Sequence, residues 1–202
     1  MKTSELKGIL EFLRHAEQLK NMTRSAWTSE GRSESVAEHT WRLCLMTLVF
    51  DKSFPNVDYA KLAKMCIIHD LGEAIGGDIP AVKQEANDGK AVQERQDLLL
   101  LLKPLPEHLQ KEITGLWDEY EQAISPEAKL AKALDKLETI LQHNQGKNPK
   151  GFDYRFNLEY GKKYTTEDPL IASLRMILDQ EPKIRISNQT LVHECVDEPK
   201  GN

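Results

Sequence analysis

Cysteine is scarce in this chain: three in 202 residues, Cys44, Cys66 and Cys195, with no paired spacing. A disulfide framework is therefore not expected, and Cys44 and Cys66, set in apolar helical runs, read as buried free thiols in a reducing compartment. Positive charge is not in excess either. There are 27 Lys and Arg against 32 Asp and Glu, a net charge of -5 and a pI near 5.7. A general nucleic-acid binder would need a basic field, so no nucleic-acid polymer is expected as a partner. A small anionic substrate stays open, because a metal and one or two arginines supply positive charge locally. No stretch approaches the ~18 uninterrupted apolar residues of a membrane span, so no membrane partner is expected. The opening MKTSELKGILEFLRHAEQ carries charges through its apolar part and has no small-residue cleavage site, so it does not read as a signal peptide. Period-2 alternation is missing outside the tail, and there is no internal repeat and no linker that would split the chain. These absences describe a cytoplasmic globular protein of one domain.

What is present is helical periodicity. Leu6, Ile9, Leu10 and Leu13 mark an amphipathic helix over roughly residues 3 to 20. A polar loop with Arg24, Trp27 and Arg32 follows. Ser35 and Glu38 then match a capping box that opens a helix running to Phe50. Asp58 is the expected N-cap of a helix with Tyr59, Leu62, Cys66 and His69 on one stripe, ended by Gly76-Gly77. Beyond Pro80 an amphipathic segment reaches Leu98 to Leu102 and stops at Pro104, and Pro106 opens a helix carrying Leu109, Ile113, Leu116, Trp117 and Tyr120. Ser125-Pro126 starts a helix with Leu130, Leu134, Leu137 and Leu141 as its stripe. Residues 146 to 168 read as a long connection, and a last helix carries Leu170, Leu174, Ile177 and Leu178. The expected architecture is all-α, a single compact bundle of about six or seven helices over 1–182, with a polar, unassigned tail over 183–202.

The chemistry concentrates at Ile67-Ile68-His69-Asp70-Leu71-Gly72-Glu73. His69 shares the inward stripe, Asp70 lies about 100° round the helix, and Glu73 sits one turn further along the face of His69. An inward histidine between two acids is costly unless its surroundings compensate the charge, and a metal ion would do so. Taken alone, such a histidine is more often a satisfied core residue. His39, on the face of Val36 and Leu43, and Asp135, beside the small residues Ala128 and Ala131, also point inward from two further helices. Two imidazoles and two carboxylates suit one divalent ion (manganese, cobalt, magnesium, iron, nickel or zinc) and not a closed structural zinc site, which favours thiolates. Spacing alone leaves the core and metal readings both open.

The order His39, then His69-Asp70, then Asp135 resembles the H…HD…D signature of the HD-domain phosphohydrolases. The surrounding Ser-Val-Ala-Glu38-His39, His69-Asp70-Leu-Gly-Glu73-Ala-Ile-Gly-Gly-Asp78-Ile-Pro80 and Ala-Leu-Asp135-Lys-Leu-Glu are similar to the 5′-deoxynucleotidase branch, over roughly residues 5 to 180. The resemblance implies a helical homodimer that hydrolyses the 5′-phosphate of nucleoside monophosphates and prefers deoxyribonucleotides. It implies His39, His69, Asp70 and Asp135 as metal ligands, Glu73 and Asp78 as a catalytic acidic pair, and Arg24 as a substrate-binding residue. In the best-known bacterial members a tryptophan directly follows that arginine and helps exclude a ribose 2′-hydroxyl; here Ser25 follows, and the tryptophan is Trp27. Trp27 and Asp78 are accordingly carried as further substrate contacts.

For Asp78 the alternative is a loop carboxylate that caps the next segment. Arg24 has the alternative of a solvated loop residue, and Trp27 that of packing over its loop. Asp88 and Asp97 read as solvent-exposed; His15, His108, His143 and His193 have no partner spacing; and Phe152, Tyr154 and Phe156 read as packing at a connection or dimer surface. Two competing functions keep the metal: an HD hydrolase of another nucleotide (triphosphate, cyclic dinucleotide or regulatory nucleotide), or a non-catalytic nucleotide-sensing module.

Overall fold

The computed structural model describes residues 1–79 and 89–186. Seven helices of ten residues or more occur among the described residues, in line with the all-α expectation: α1 (Thr3–Ala16), α2 (Val36–Val49), α3 (Tyr59–Ile68), α5 (Lys90–Leu102), α6 (Glu107–Gln122), α7 (Pro126–Gln145) and α10 (Pro169–Leu178). Three short ones, α4 (Glu73–Gly76), α8 (Arg155–Glu159) and α9 (Lys162–Thr165), border the functional cleft. No helix among the described residues is long and apolar enough to cross a membrane.

The start signals act as the sequence suggests. Ser35 Oγ accepts from the Glu38 backbone N–H while the Glu38 carboxylate accepts from the Ser35 N–H, so both free donors at the start of α2 are satisfied. Asp58 accepts from the Lys61 N–H at 3.1 Å, and Ser125 caps α7 with Pro126 in its first turn. α7 is the axis of the molecule: α2, α3, α6, α9 and α10 pack round it. One apolar cluster joins it to α2, α3 and α10 through Leu43, Leu62, Met65, Leu134, Leu137 and Ile171. A second, with Val36, Ile68, Leu98, Leu102 and Trp117, holds α5 and α6.

Four expectations need correction. The polar loop after α1 contains a hairpin, β1 (Thr23–Trp27) against β2 (Ser33–Ser35), antiparallel, with Thr23 opposite Ser35 and Trp27 opposite Ser33. Its turn uses Gly31 at φ +87°, a backbone conformation that costs glycine little. Short strands with polar outward faces leave no alternation to detect, which is why the period scan misses them. Second, the helix from Asp58 does not run on to Gly76: α3 ends at Ile68. The chain then tightens through Leu71 N–H to Ile68 O and Glu73 N–H to Asp70 O before α4 begins. Gly72 permits this, since a Cβ there would stand 2.5 Å from the Glu94 carbonyl oxygen of α5. Third, Asp97 is buried rather than solvated; it accepts from Gln93 at 3.0 Å and its carboxylate faces Gly76. Fourth, the connection after α7 holds α8 and α9. Cys66 is a buried free thiol as expected, while Cys44 is only half-buried. Pro80, Asp88, His193, Cys195 and nearly all of the tail lie outside the described residues.

Candidate functional site

Three elements bring the four ligand candidates together. His39 comes from α2, His69 and Asp70 from the tight turn after α3, and Asp135 from α7. His39 Nε2 stands 3.3 Å from Asp135 Oδ1 and 3.9 Å from Asp70 Oδ2, and His69 Nε2 is 3.0 Å from Asp70 Oδ2. Both Nε2 atoms are buried and make no hydrogen bond. Such orphaned acceptors are uncommon in a core and mark a group that belongs there. The other ring nitrogens are engaged: His69 Nδ1 with the Cys66 carbonyl at 2.9 Å, and His39 Nδ1 with the fully buried Glu138 carboxylate. That arrangement aims each Nε2 at one point. His39, His69 and Asp70 present donor atoms within 4.8 Å of one another and could hold a metal ion. Asp135 is steadied by the Tyr120 hydroxyl at 3.0 Å and by Lys136 at 2.9 Å.

Negative charge is in local excess. Glu73, at the head of α4, is 5% exposed, and burial together with Asp70 and Asp78 pushes its carboxyl up to about 10. Burial also raises Asp78, helped by Asp70 and opposed by Arg24, Lys90 and His39. Burial works to raise Asp70 as well, but the His69 and His39 rings overcome it and hold that carboxyl low. A divalent cation among these groups would offset the repulsion, so the donor set fits a metal in charge as well as in geometry.

The cluster opens into a cleft of about 1100 Å³. All of Arg24, Trp27, His69, Asp70, Glu73, Asp78 and Asp135 line it, whereas His39 lies behind the wall. Arg24 is no solvated loop residue. Its Nη2 donates to Thr139 Oγ1 at 3.1 Å, and its Nη1 is buried with no hydrogen bond, 3.8 Å from Glu138 Oε2. Burial opposes the charge on Arg24, but Glu138, Asp70, Asp135 and Glu34 keep it firmly protonated.

Sequence reasoning passed over three features of this site. Glu138 also accepts from Arg42 Nε at 2.7 Å, and so joins a ligand candidate to two arginines. His143, read as carrying no partner, is 5% exposed, lines the cleft, and pairs with Asn157 Oδ1 at 2.7 Å. The available signal was its place eight residues after Asp135, on the same face of a long helix. Phe152 and Phe156, read as packing at a connection, line the cleft too.

Comparison with known proteins identifies the family. A family model described as an HD domain matches residues 16–175. The 5′-deoxynucleotidase HDDC2 of Bos taurus is 37% identical over 141 residues, covering 69% of this chain and 68% of that protein. Its namesake in Dictyostelium discoideum is 30% identical over 190 residues, covering 88% of this chain and all of that protein. A crystal structure from Magnetospirillum magnetotacticum, titled a predicted metal-dependent phosphohydrolase, superposes with a TM-score of 0.77 at 26% identity, covering 90% of this chain and 94% of its own. With the family model spanning most of its length and relatives of this identity over two thirds of it, the chain belongs to the HD-domain family.

Proposed function

We propose that the protein is a metal-dependent phosphohydrolase that releases inorganic phosphate from nucleoside 5′-monophosphates, with preference for deoxyribonucleotides. One observation carries this reading. Two orphaned imidazole nitrogens and two carboxylates meet beside a cleft in which the half-buried Arg24 also has a buried Nη1 without a hydrogen bond. The names of the curated relatives point to the same chemistry.

His39, His69, Asp70 and Asp135 would hold one divalent ion. When bound, that ion supplies Lewis-acid polarisation of the phosphate. Arg24 is held at Nη2 by Thr139, which leaves Nη1 to donate to a phosphate oxygen. Glu73 orients the attacking water and accepts its proton at the carboxylate, once the cation's charge offsets the neighbours that raise it. Asp78, a carboxyl that burial keeps protonated more readily than usual, gives a proton to the departing 5′-oxygen. Trp27, half-buried on the hairpin, bounds the sugar side of the cleft.

The test is phosphate release by metal-stripped protein, with manganese, cobalt, magnesium or zinc returned, on ribo- and deoxyribonucleoside 5′-monophosphates. Nucleoside 3′-monophosphates, triphosphates and cyclic dinucleotides serve as contrasts. Metal-dependent release confined to the 5′-monophosphates is expected. Turnover of a contrast alone would assign the site to another nucleotide, and silence on all of them would leave a sensing module. A homodimer belongs to the same reading, because α1 and α2 leave Leu6, Leu10, Leu13, Trp41 and Leu48 exposed. Analytical ultracentrifugation should give twice the 23.0 kDa chain mass.

A further inference from the structure

The cleft is graded along α7. Asp135, Thr139 and His143 follow at four-residue intervals, so they share one face, and all three line the cleft. Asp135 marks the candidate metal end and Thr139 holds Arg24, the phosphate clamp. A rise of 1.5 Å per residue puts His143 ~12 Å beyond Asp135. At that far end the wall turns aromatic. Phe152 packs edge-on against His143 at 4.9 Å and against Trp27 at 6.1 Å, ring centre to ring centre. Phe156, four residues on in α8, lines the same cleft nearer its middle, tilted by 31° against Tyr160 with ring centres 4.9 Å apart, and the Tyr160 ring centre lies 5.1 Å from Lys136 Nζ. Phe152 and Phe156 are only half-buried, and both line the cleft.

We infer that Phe152 and Phe156 form the nucleobase subsite, and take the base by stacking while the phosphate lies at Arg24 and the metal cluster. The inference rests on the nucleotide reading and extends it to the far end of the cleft. Stacking, not hydrogen-bonded readout, is the mode that these groups offer. His143 has its ring nitrogens engaged by Asn157 and by the Ser25 backbone, so it serves the wall as a fixed prop. Asp153, the polar neighbour of Phe152, is exposed and paired with Arg155 at 3.0 Å. The π-system of a phenylalanine suits an offset-stacked heterocycle.

The test compares phosphate release from 2′-deoxyadenosine 5′-monophosphate with release from 2-deoxyribose 5-phosphate, which keeps the phosphate and sugar but has no base. In Phe152→Leu, which retains apolar bulk without a π-face, the ratio of kcat/KM between the two substrates should fall about tenfold, through KM. Phe152→Tyr should restore the ratio, and Phe156→Ala, at a second position in the wall, should lower it as Phe152→Leu does. Equal losses on both substrates, or a ratio unchanged in both Phe152→Leu and Phe156→Ala, would overturn the inference and leave these rings as packing. Should the wild-type protein hydrolyse neither substrate, the phosphatase reading fails on its own account. Calorimetric binding of 2′-deoxyadenosine 5′-monophosphate then decides the subsite. Binding weaker in Phe152→Leu than in wild type and Phe152→Tyr supports it; equal or absent binding overturns it.

Discussion

His39 is gripped from both sides: Glu138 takes Nδ1, and Nε2 faces Asp135 and Asp70. Glu138 fixes the ring and its tautomer, so it acts on the candidate metal through His39. Glu138→Gln should weaken manganese affinity by about 10- to 100-fold while leaving helicity unchanged, read by calorimetry and far-UV circular dichroism. Glu73 faces the cleft without belonging to the ligand cluster. Glu73→Gln should cut turnover by on the order of a hundredfold or more with metal content intact. Metal analysis of the purified variant checks this, and loss of the ion would recast Glu73 as structural. Helical period marked His39 and Asp135 as inward, whereas His69 and Asp70 lie in the tight turn after α3, and it was the family resemblance that singled out the four as ligands. The partnership of Glu138 with His39 spans 99 positions of sequence, and no local pattern encodes that.

At the scale of elements, the start of α2 is the clearest case of sequence acting locally. Glu38 closes the capping box and also receives paired hydrogen bonds from Arg32. The Arg32 bond holds its carboxyl down at about 2, against its ordinary 4.5. The folded state therefore binds fewer protons in this range. The stabilisation is complete above about pH 4.5 and is lost as pH falls toward 2. The pair is well exposed, with side chains 61% and 41% accessible, so solvent screening keeps its contribution small. Thermal melts of Glu38→Gln should show a lower Tm at neutral pH and a flatter pH dependence between 4.5 and 2. The end of α3 is the contrary case. The stripe through Tyr59, Leu62, Cys66 and His69 continues smoothly in sequence, yet the backbone tightens after Ile68. That break brings Glu73 to the head of α4 with Gly72 against α5, a packing constraint with no counterpart in hydrophobic period.

Across the whole molecule, α7 is buried on nearly every side and carries polar residues as well as leucines. Its polar face floors the cleft, and its apolar faces join the core. Buried carboxylates on that face are tolerable only with compensation, so the bound ion should be a stability element as well as a reagent. Removing it with a chelator should lower Tm by on the order of 10 °C, and returning manganese should restore it, as differential scanning calorimetry can read.

The sequence by itself determined the helical class, the capped starts at Ser35, Asp58 and Ser125, and the inward aim of His39, His69 and Asp135. Each of these depends on residues within a turn or two of one another, where spacing and hydrogen-bonding chemistry are decisive. Tertiary structure alone decided the hydrogen bond that seats Arg24 on Thr139, the burial of Asp97 under Gly76, the pairing of Glu138 with His39, and the arrival of Phe152 and Phe156 at the cleft wall. Those positions are set by how helices pack round α7, and packing depends on shape and charge contributed by chain segments far apart in sequence.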